Sequence, residues 1–435
     1  MTVETDRQSD ATRSLPHRRS DGAYRPSRTM RLMLSLGHRL EIGTLDVVLP
    51  DGETRRFGGR SAGPAARLEI HRDRLARRFL TGGNLGFCEA YLDGDWSSPD
   101  PEALFVFFLV NRDHIAGEMA GRPWVRLAGR IAHAFRANTR AGAKRNIAKH
   151  YDLGNAFYEA WLDPTMTYSS AVFDDGAGDA IAFAPTPDDA GAARDLGGPL
   201  AAAQELKYQR LCEVMGLERG QSVLEIGCGW GGFAEHAARE YDARVTAITI
   251  SREQHDYARK RVHEAGLADR VEVRLQDYRD VEGRFDRIAS IEMFEAVGAE
   301  YWARFFAGLR DRLTPGGVAG LQVITIADRY FDDYRRGADY IQRYVFPGGM
   351  LPSPAALDRE VAAAGLTTGR IETFGGDYAA TLRAWNRRFQ AAWPGIRAMG
   401  FDDRFKRLWE QYLAYCAAGF GVGTIDVRQM AVHRP

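Results

Sequence analysis

The stretch Val223-Leu-Glu-Ile-Gly-Cys-Gly-Trp-Gly-Gly232 constrains the fold more than any other part of this 435-residue chain. A buried apolar strand runs straight into three alternate glycines, Gly227, Gly229 and Gly231, and then into a helix over Phe233–Tyr241. Such a turn lets the backbone bend sharply at the C-terminal edge of a sheet and come close to a ligand. The same rhythm continues downstream. Strands are expected at Ser222–Ile226, Ala243–Ile248, Val271–Leu275, Asp286–Ile291 and Val318–Ile324, separated by helical stretches. This βαβ alternation predicts an α/β fold with a parallel, doubly wound sheet. Arg370–Phe374 and Thr424–Val432 supply two more strands around the helices Tyr378–Trp393 and Phe401–Phe420.

The length calls for more than one domain. Residues 1–28 are polar and aperiodic and read as a disordered tail. Residues 29–118 read as a smaller N-terminal α+β domain. In it, strands Leu40–Leu49 and Arg67–Ile70 pair, and helices Leu75–Leu80 and Glu102–Leu109 flank a Gly- and Asp-punctuated unit at Asn84–Trp96. Residues 119–149 form a basic linker helix: Arg122, Arg126, Arg130, Arg136, Arg140, Lys144, Arg145 and Lys149 occur without a single acid. Trp124, Leu127, Ile131 and Phe135 give that helix one apolar face. It suits either a membrane surface or packing against the next domain. Residues 150–435 form the large domain, with a mobile loop expected at Asp174–Pro199.

Composition narrows the function classes. Lys+Arg and Asp+Glu are both 58, so the chain is not a polyanion binder as a whole, and no nucleic-acid partner is expected. Cys88, Cys212, Cys228 and Cys416 show no metal or disulfide spacing, so no metal site is expected and a reducing cytoplasm fits best. The N-terminus lacks a signal peptide's apolar run, and no segment approaches the roughly 20 apolar residues of a membrane span. The expected location is cytoplasmic, with peripheral membrane association through the basic helix.

The glycine loop resembles that of class I S-adenosylmethionine-dependent methyltransferases. Glu225 precedes the first glycine by two, and the G-x-G-x-G spacing differs from pyrophosphate-binding loops. Thr249, Ser251 and Gln254, at the end of the second strand, are candidates for the ribose. Asp277 and Tyr278, at the end of the third, suit the adenine amine and ring; Asp277 is equally suited to capping a turn.

The segments from Asn146 to Pro435 resemble the cyclopropane fatty acid synthase family, which includes the mycolic acid methyltransferases. They are Lys149-His-Tyr-Asp-Leu-Gly-Asn155, Thr167-Tyr-Ser-Ser-Ala171, Glu225–Gly231, Met293-Phe-Glu-Ala-Val-Gly298, Phe346-Pro-Gly-Gly-Met350, Asp377-Tyr378 with Ala384-Trp385, and Tyr412–Gly423. Gly83–Trp96 is similar to the N-terminal domain of the bacterial phospholipid enzymes. The resemblance implies a Rossmann-like methyltransferase sheet and S-adenosylmethionine, with Tyr168 and Ser169 joining the cofactor set. It implies unsaturated phospholipid acyl chains at the membrane surface as substrate, and it allows a homodimer.

It also implies a reaction. An alkene takes the sulfonium methyl, leaving a carbocation that needs an apolar pocket with aromatic faces and no water. Candidates for that lining are Phe157, Tyr158, Trp161, Phe173, Tyr340, Tyr344, Phe346 and Trp385. A base must then remove a proton, and in the family a bound bicarbonate serves. Carried over residue by residue, Glu295, Ile324 and Tyr378 match the bicarbonate ligands. Ser170 replaces a cysteine, Gln322 a histidine and Glu292 a glycine. Gln322 can hydrogen-bond an anion but not carry its proton, and Glu292 either disfavours bicarbonate or itself acts as base. Cys416 matches a cysteine discussed as catalytic in the family, yet its apolar helix equally suits a structural thiol. The expected product is a cyclopropane, or a methyl-branched or methylene olefin if the altered site redirects proton loss. Competing readings are a small-molecule N- or O-methyltransferase and a non-catalytic lipid- or cofactor-binding protein.

Overall fold

The computed structural model describes residues 24–114, 153–173, 197–337 and 339–435. The first unit is a four-stranded sheet in the order β2-β1-β3-β4, formed by Ile42–Val48 (β1), Thr54–Gly58 (β2), Ser61–Ile70 (β3) and Trp96–Ser97 (β4). The two strands expected from sequence pair in parallel, Val47 opposite Leu68. The strand β2 was not expected: only Phe57 is buried in Thr-Arg-Arg-Phe-Gly, so it lacks an apolar alternation.

Two boundaries differ from the sequence reading. Tyr24 and Ser27 both bond the Asp73 carboxylate, and Ser27 caps the helix Arg28–Ser35, so residues 24–28 belong to the folded unit and not to the tail. The Gly- and Asp-punctuated unit at Asn84–Trp96 is mostly helix: Arg74–Leu92 runs on through a kink at Gly83, where φ is 58°. Gly86 makes the kink compact, since a Cβ there would lie 2.1 Å from the Arg78 carbonyl oxygen. Beyond the kink Phe87 stacks on Trp96 at 4.4 Å. The apolar helix Pro101–Val110, capped by Asp100, covers the sheet.

The large unit is a seven-stranded sheet in the order β10-β11-β9-β8-β5-β6-β7. Its strands are Ser222–Ile226 (β5), Arg244–Thr249 (β6), Val271–Leu275 (β7), Phe285–Ile291 (β8), Leu313–Ile326 (β9), Thr367–Thr373 (β10) and Ile425–His433 (β11). The pairs from β7 to β9 are parallel, and β11 runs antiparallel between β9 and β10. The order reverses at β5, flanked by β6 and β8, which opens a crevice at the strands' C-terminal ends. This is the doubly wound arrangement expected. The loop expected over Asp174–Pro199 lies outside the described residues except for its last three, which begin the helix Gly197–Val214. The basic helix over 119–149 lies outside them entirely.

The helix Asp403–Gly421 joins the two units. Tyr91 donates to Glu410 at 2.9 Å, Asn84 donates to the Tyr415 hydroxyl at 3.3 Å, and Tyr344 donates to Glu89 at 2.7 Å. One hydrophobic core runs from Met30 and Trp96 to Trp409. No helix among the described residues is long and apolar enough to cross a membrane.

Candidate active site

A cavity of about 1250 Å³ opens at the C-terminal edge of β5 to β9 and reaches the N-terminal unit, where Phe79, Phe105 and Phe108 line it. Single-ligand pockets span roughly 300–1,000 Å³, so this one is larger than a single small ligand usually needs.

The cofactor half is built by the glycine turn. Gly227 takes φ +84° and a Cβ there would meet Met293 at 2.7 Å; Gly229 takes φ +50°, and among the described residues no atom lies within 4 Å of a Cβ built there. The second glycine therefore leaves room for a ligand against bare backbone. Glu225 is buried, and its Oε2 has no hydrogen-bond partner among the described residues. Burial pushes its carboxyl up to about 8, against the pull of Arg261 and Lys207. Thr249 donates to Gln254 Oε1 at 2.9 Å, and both face the cavity. Tyr168, Ser169, Asp277 and Tyr278 face it too.

Two expected cofactor residues do not line it. Ser251 caps the helix Arg252–Glu264, and Gly231, at φ +86°, faces Ala258, which a Cβ there would meet at 3.1 Å. Asp277 does both things the sequence allowed: it borders the cavity and caps the next turn while pairing with Arg279 at 2.6 Å.

The reactive half centres on two carboxylates that a single turn puts side by side. Glu292 follows directly on β8 with φ +49°, and Glu295 comes next on a short 3₁₀ turn. Glu292 Oε1 accepts from the Ser170 N–H at 2.9 Å and from Gln322 Nε2 at 2.8 Å. Its Oε2 accepts from the Tyr378 hydroxyl at 2.5 Å. Glu295 Oε1 accepts from the Ile324 N–H at 2.5 Å, and its Oε2 is buried without a partner. Enclosure in the cavity wall and the neighbouring Glu292 push Glu295 up to about 8. Enclosure also raises Glu292, while bonds from Tyr378, Ser170 and Gln322 and the charge of Lys207 oppose it. Of the pair, Glu292 has the stronger support for its carboxylate form, since three donors and Lys207 act on it while Glu295 accepts only from backbone N–H groups and faces the Glu292 charge.

Ser170 and Gln322 are fully buried behind Glu292 and do not reach the cavity surface. Cys416 borders the cavity, and burial lifts its thiol well above the ordinary range, so it is a neutral thiol and not a poised nucleophile. Of the eight aromatics expected to line the chamber, only Phe346 does. Phe157, Tyr158, Trp161 and Trp385 are interior, packed ring on ring with Trp409 and Tyr168. Tyr412, Tyr415 and Phe420 line it instead, together with Tyr330. Their spacing with Cys416 on one helix face was the signal available in the sequence.

Sequence reasoning also missed Lys207, which is fully buried and donates to Ser169 Oγ at 2.6 Å. Burial pushes its ammonium down to about 7, while Glu292, Asp163 and Glu225 pull it back up. It occupies a core position of its helix, in register with Leu200, Ala203, Gln204 and Leu211, all buried. A lysine on such an apolar stripe is the clue.

A mostly parallel sheet with a glycine turn at its switch point, a buried carboxylate with one open oxygen beside it and an apolar chamber beyond defines a class I S-adenosylmethionine-dependent methyltransferase. The model of the mycolic acid cyclopropane synthetase family matches residues 138–430, and the chain belongs to that family. It is 40% identical over 373 residues to the tuberculostearic acid methyltransferase of Mycobacterium tuberculosis, covering 85% of this chain and 84% of that one. It is 35% identical over 375 residues to the cyclopropane-fatty-acyl-phospholipid synthase of Escherichia coli, covering 85% and 88%. The solved structure of mycolic acid cyclopropane synthase CmaA1 with SAH and CTAB superposes with a TM-score of 0.57 at 29% identity, over 67% of this chain and 98% of that one. The enzyme therefore uses S-adenosylmethionine to methylate lipid acyl chains, and a small soluble amine or a non-catalytic role is set aside.

The cofactor fits the residues present: the free Glu225 Oε2 and the open face of Gly229 are the places a hydroxyl- and amine-bearing ligand completes. Bicarbonate does not fit. The donors that would hold it, the N–H groups of Ser170 and Ile324, Gln322 and Tyr378, are all taken by Glu292 and Glu295.

Proposed function

We propose that this enzyme transfers the methyl group of S-adenosylmethionine to the double bond of an unsaturated phospholipid acyl chain at a membrane surface. The observation that carries the reading is the single cavity that joins the glycine turn to an aromatic chamber walled partly by the N-terminal unit. When bound, the cofactor supplies an electrophilic methyl group. Glu225, Thr249 and Gln254 hold its ribose end, Asp277 and Tyr278 its base, and Tyr168 and Ser169 close over it. Tyr412, Phe346 and Phe420 exclude water and present ring faces to the cation left on the chain. The basic segment 119–149, with Arg122, Arg126 and Arg130, brings the enzyme to anionic lipid.

The reading is supported by the kinship to a phospholipid synthase. Labelled cofactor incubated with unsaturated phospholipid vesicles should put label into intact lipid. Label appearing only on free fatty acid or on no lipid would reject the phospholipid assignment.

A second reading concerns the product. Glu292 fills the anion position, and the 40% identity is to a tuberculostearic acid methyltransferase. Both favour loss of a chain proton, giving a methyl-branched or methylene olefin, over ring closure. Ozonolysis cleaves such an olefin and spares a cyclopropane, so an ozone-resistant product would leave the cyclopropane reading standing.

A further inference from the structure

We infer that the Glu292 side chain is itself the base of the reaction, doing from within the chain what a free anion would otherwise do. The inference rests on the methyl-transfer reading above.

Glu292 is on the cavity wall at the C-terminal end of β8. Its backbone takes φ +49°, a left-handed conformation that favours glycine and disfavours a side chain. The chain nevertheless places a carboxylate there, and three separate elements hold it. Ser170 donates from the loop before the helix Gly197–Val214, Gln322 from β9, and Tyr378 from the helix Gly375–Ala398. Gln322 is fixed in turn, since its Oε1 accepts from Gln429 Nε2 at 3.0 Å. That same Nε2 also donates to the Lys207 carbonyl at 3.0 Å. A carboxylate offers about four acceptor positions. Three are occupied here, which leaves one on Oε2 for an incoming proton. Glu295 is unsuited to the task, because its enclosure and the adjacent charge keep it protonated near neutrality.

The step balances without another reactant. The alkene's π pair forms the bond to the methyl carbon as the S–CH₃ bond breaks, its electrons remaining on sulfur. The adjacent chain carbon is left cationic. A neighbouring C–H bond gives its proton to the Glu292 carboxylate, and its electron pair becomes a new C=C bond or the closing bond of a ring. S-adenosylhomocysteine, methylated lipid and a carboxylic acid at Glu292 result, and water takes the proton before the next turnover.

The test measures label transfer to unsaturated phosphatidylglycerol vesicles in buffer stripped of carbon dioxide, with and without millimolar bicarbonate or formate. Wild-type activity should be the same in all three. E292G, whose glycine suits the backbone, should lose at least about 100-fold in stripped buffer and regain activity as formate or bicarbonate fills the vacated position. E292Q should lose as much and regain nothing, because its amide still occupies the site. Wild-type dependence on bicarbonate would overturn the inference. So would full activity of E292G in stripped buffer. An E292G protein that binds S-adenosylhomocysteine normally yet is revived by neither anion would reduce Glu292 to a structural role and overturn it as well. A wild-type enzyme that labels no lipid in any buffer would instead bring down the methyl-transfer reading.

Discussion

Tyr378→Phe isolates one hydrogen bond at the centre of the site. The hydroxyl donates to Glu292 Oε2 at 2.5 Å, and the ring packs on Phe420 with centroids 4.4 Å apart. Phenylalanine keeps the ring contact and removes only the donor. A hydrogen bond to a charged acceptor contributes about 1.5–3 kcal/mol. At 1.36 kcal/mol per pKa unit, its loss raises the Glu292 pKa by roughly 1–2 units. The sign follows from which form the bond favours: the hydroxyl stabilises the carboxylate, so without it the carboxylate holds a proton to higher pH. The acidic limb of kcat/KM should therefore move up by about 1–2 units, with the activity deficit largest at low pH and shrinking toward alkaline pH. The assay is label transfer to phospholipid vesicles across a pH series, alongside a melting curve. A folded Y378F enzyme whose acidic limb coincides with that of wild type would refute the assignment of that limb to Glu292.

Gly229→Asp should fold, because no atom of the described residues lies within 4 Å of the new Cβ, yet lose S-adenosylhomocysteine affinity by about 3 kcal/mol, roughly 100-fold; wild-type affinity by calorimetry would remove the glycine turn from the cofactor site. Gly86→Ala should destabilise by about 1–3 kcal/mol in denaturant unfolding, since its Cβ would come 2.1 Å from the Arg78 carbonyl; an unchanged midpoint would mean the kink yields freely. Replacing Arg122, Arg126 and Arg130 by Gln should weaken binding to anionic vesicles by up to about 3 kcal/mol, with cofactor affinity unchanged. Equal vesicle binding by both proteins at low and physiological salt would assign that segment to packing.

The centre of the sheet was legible because strands such as Ser222–Ile226 and Leu313–Ile326 are apolar runs buried on both faces. The edge strand Val271–Leu275 was legible from its alternation and its place in the βαβ rhythm. Ser222–Ile226 and Val271–Leu275 were placed to the residue. The strand Thr54–Gly58 escaped because an edge strand with one buried residue carries no alternation. The continuous helix at Arg74–Leu92 escaped because glycines at 82, 83 and 86 read as punctuation, whereas only Gly83 leaves helical geometry. For the site, motif order found Glu295, Tyr378, Gly227 and Gly229, all of which face the cavity. It could not separate lining aromatics from core aromatics, since ring type alone does not say which side of a wall a residue is on. Trp161 and Trp385 meet edge to face at 5.8 Å inside the core, while Tyr412 reaches the cavity from a helix read only as apolar.

The electrostatics of the cavity explain why it holds several carboxyls and few ready charges. Glu225 and Glu295, each held up to about 8, are neutral near pH 7 in the protein alone. Lys207, pushed down to about 7, is only partly charged. An apolar chamber can tolerate such groups because they give up their charge instead of being solvated. Both the sulfonium cofactor and the carbocation are positive, and each favours the ionised form of any carboxyl within a few ångströms. For Glu225, beside the glycine turn, that pull acts on cofactor binding, whereas Glu295 is also held protonated by the adjacent Glu292. Glu292 differs: burial raises it too, but three donors favour its carboxylate before any cation arrives. A group meant to accept a proton has to be ready before the cation forms, and of the pair it is Glu292 whose neighbours favour that form.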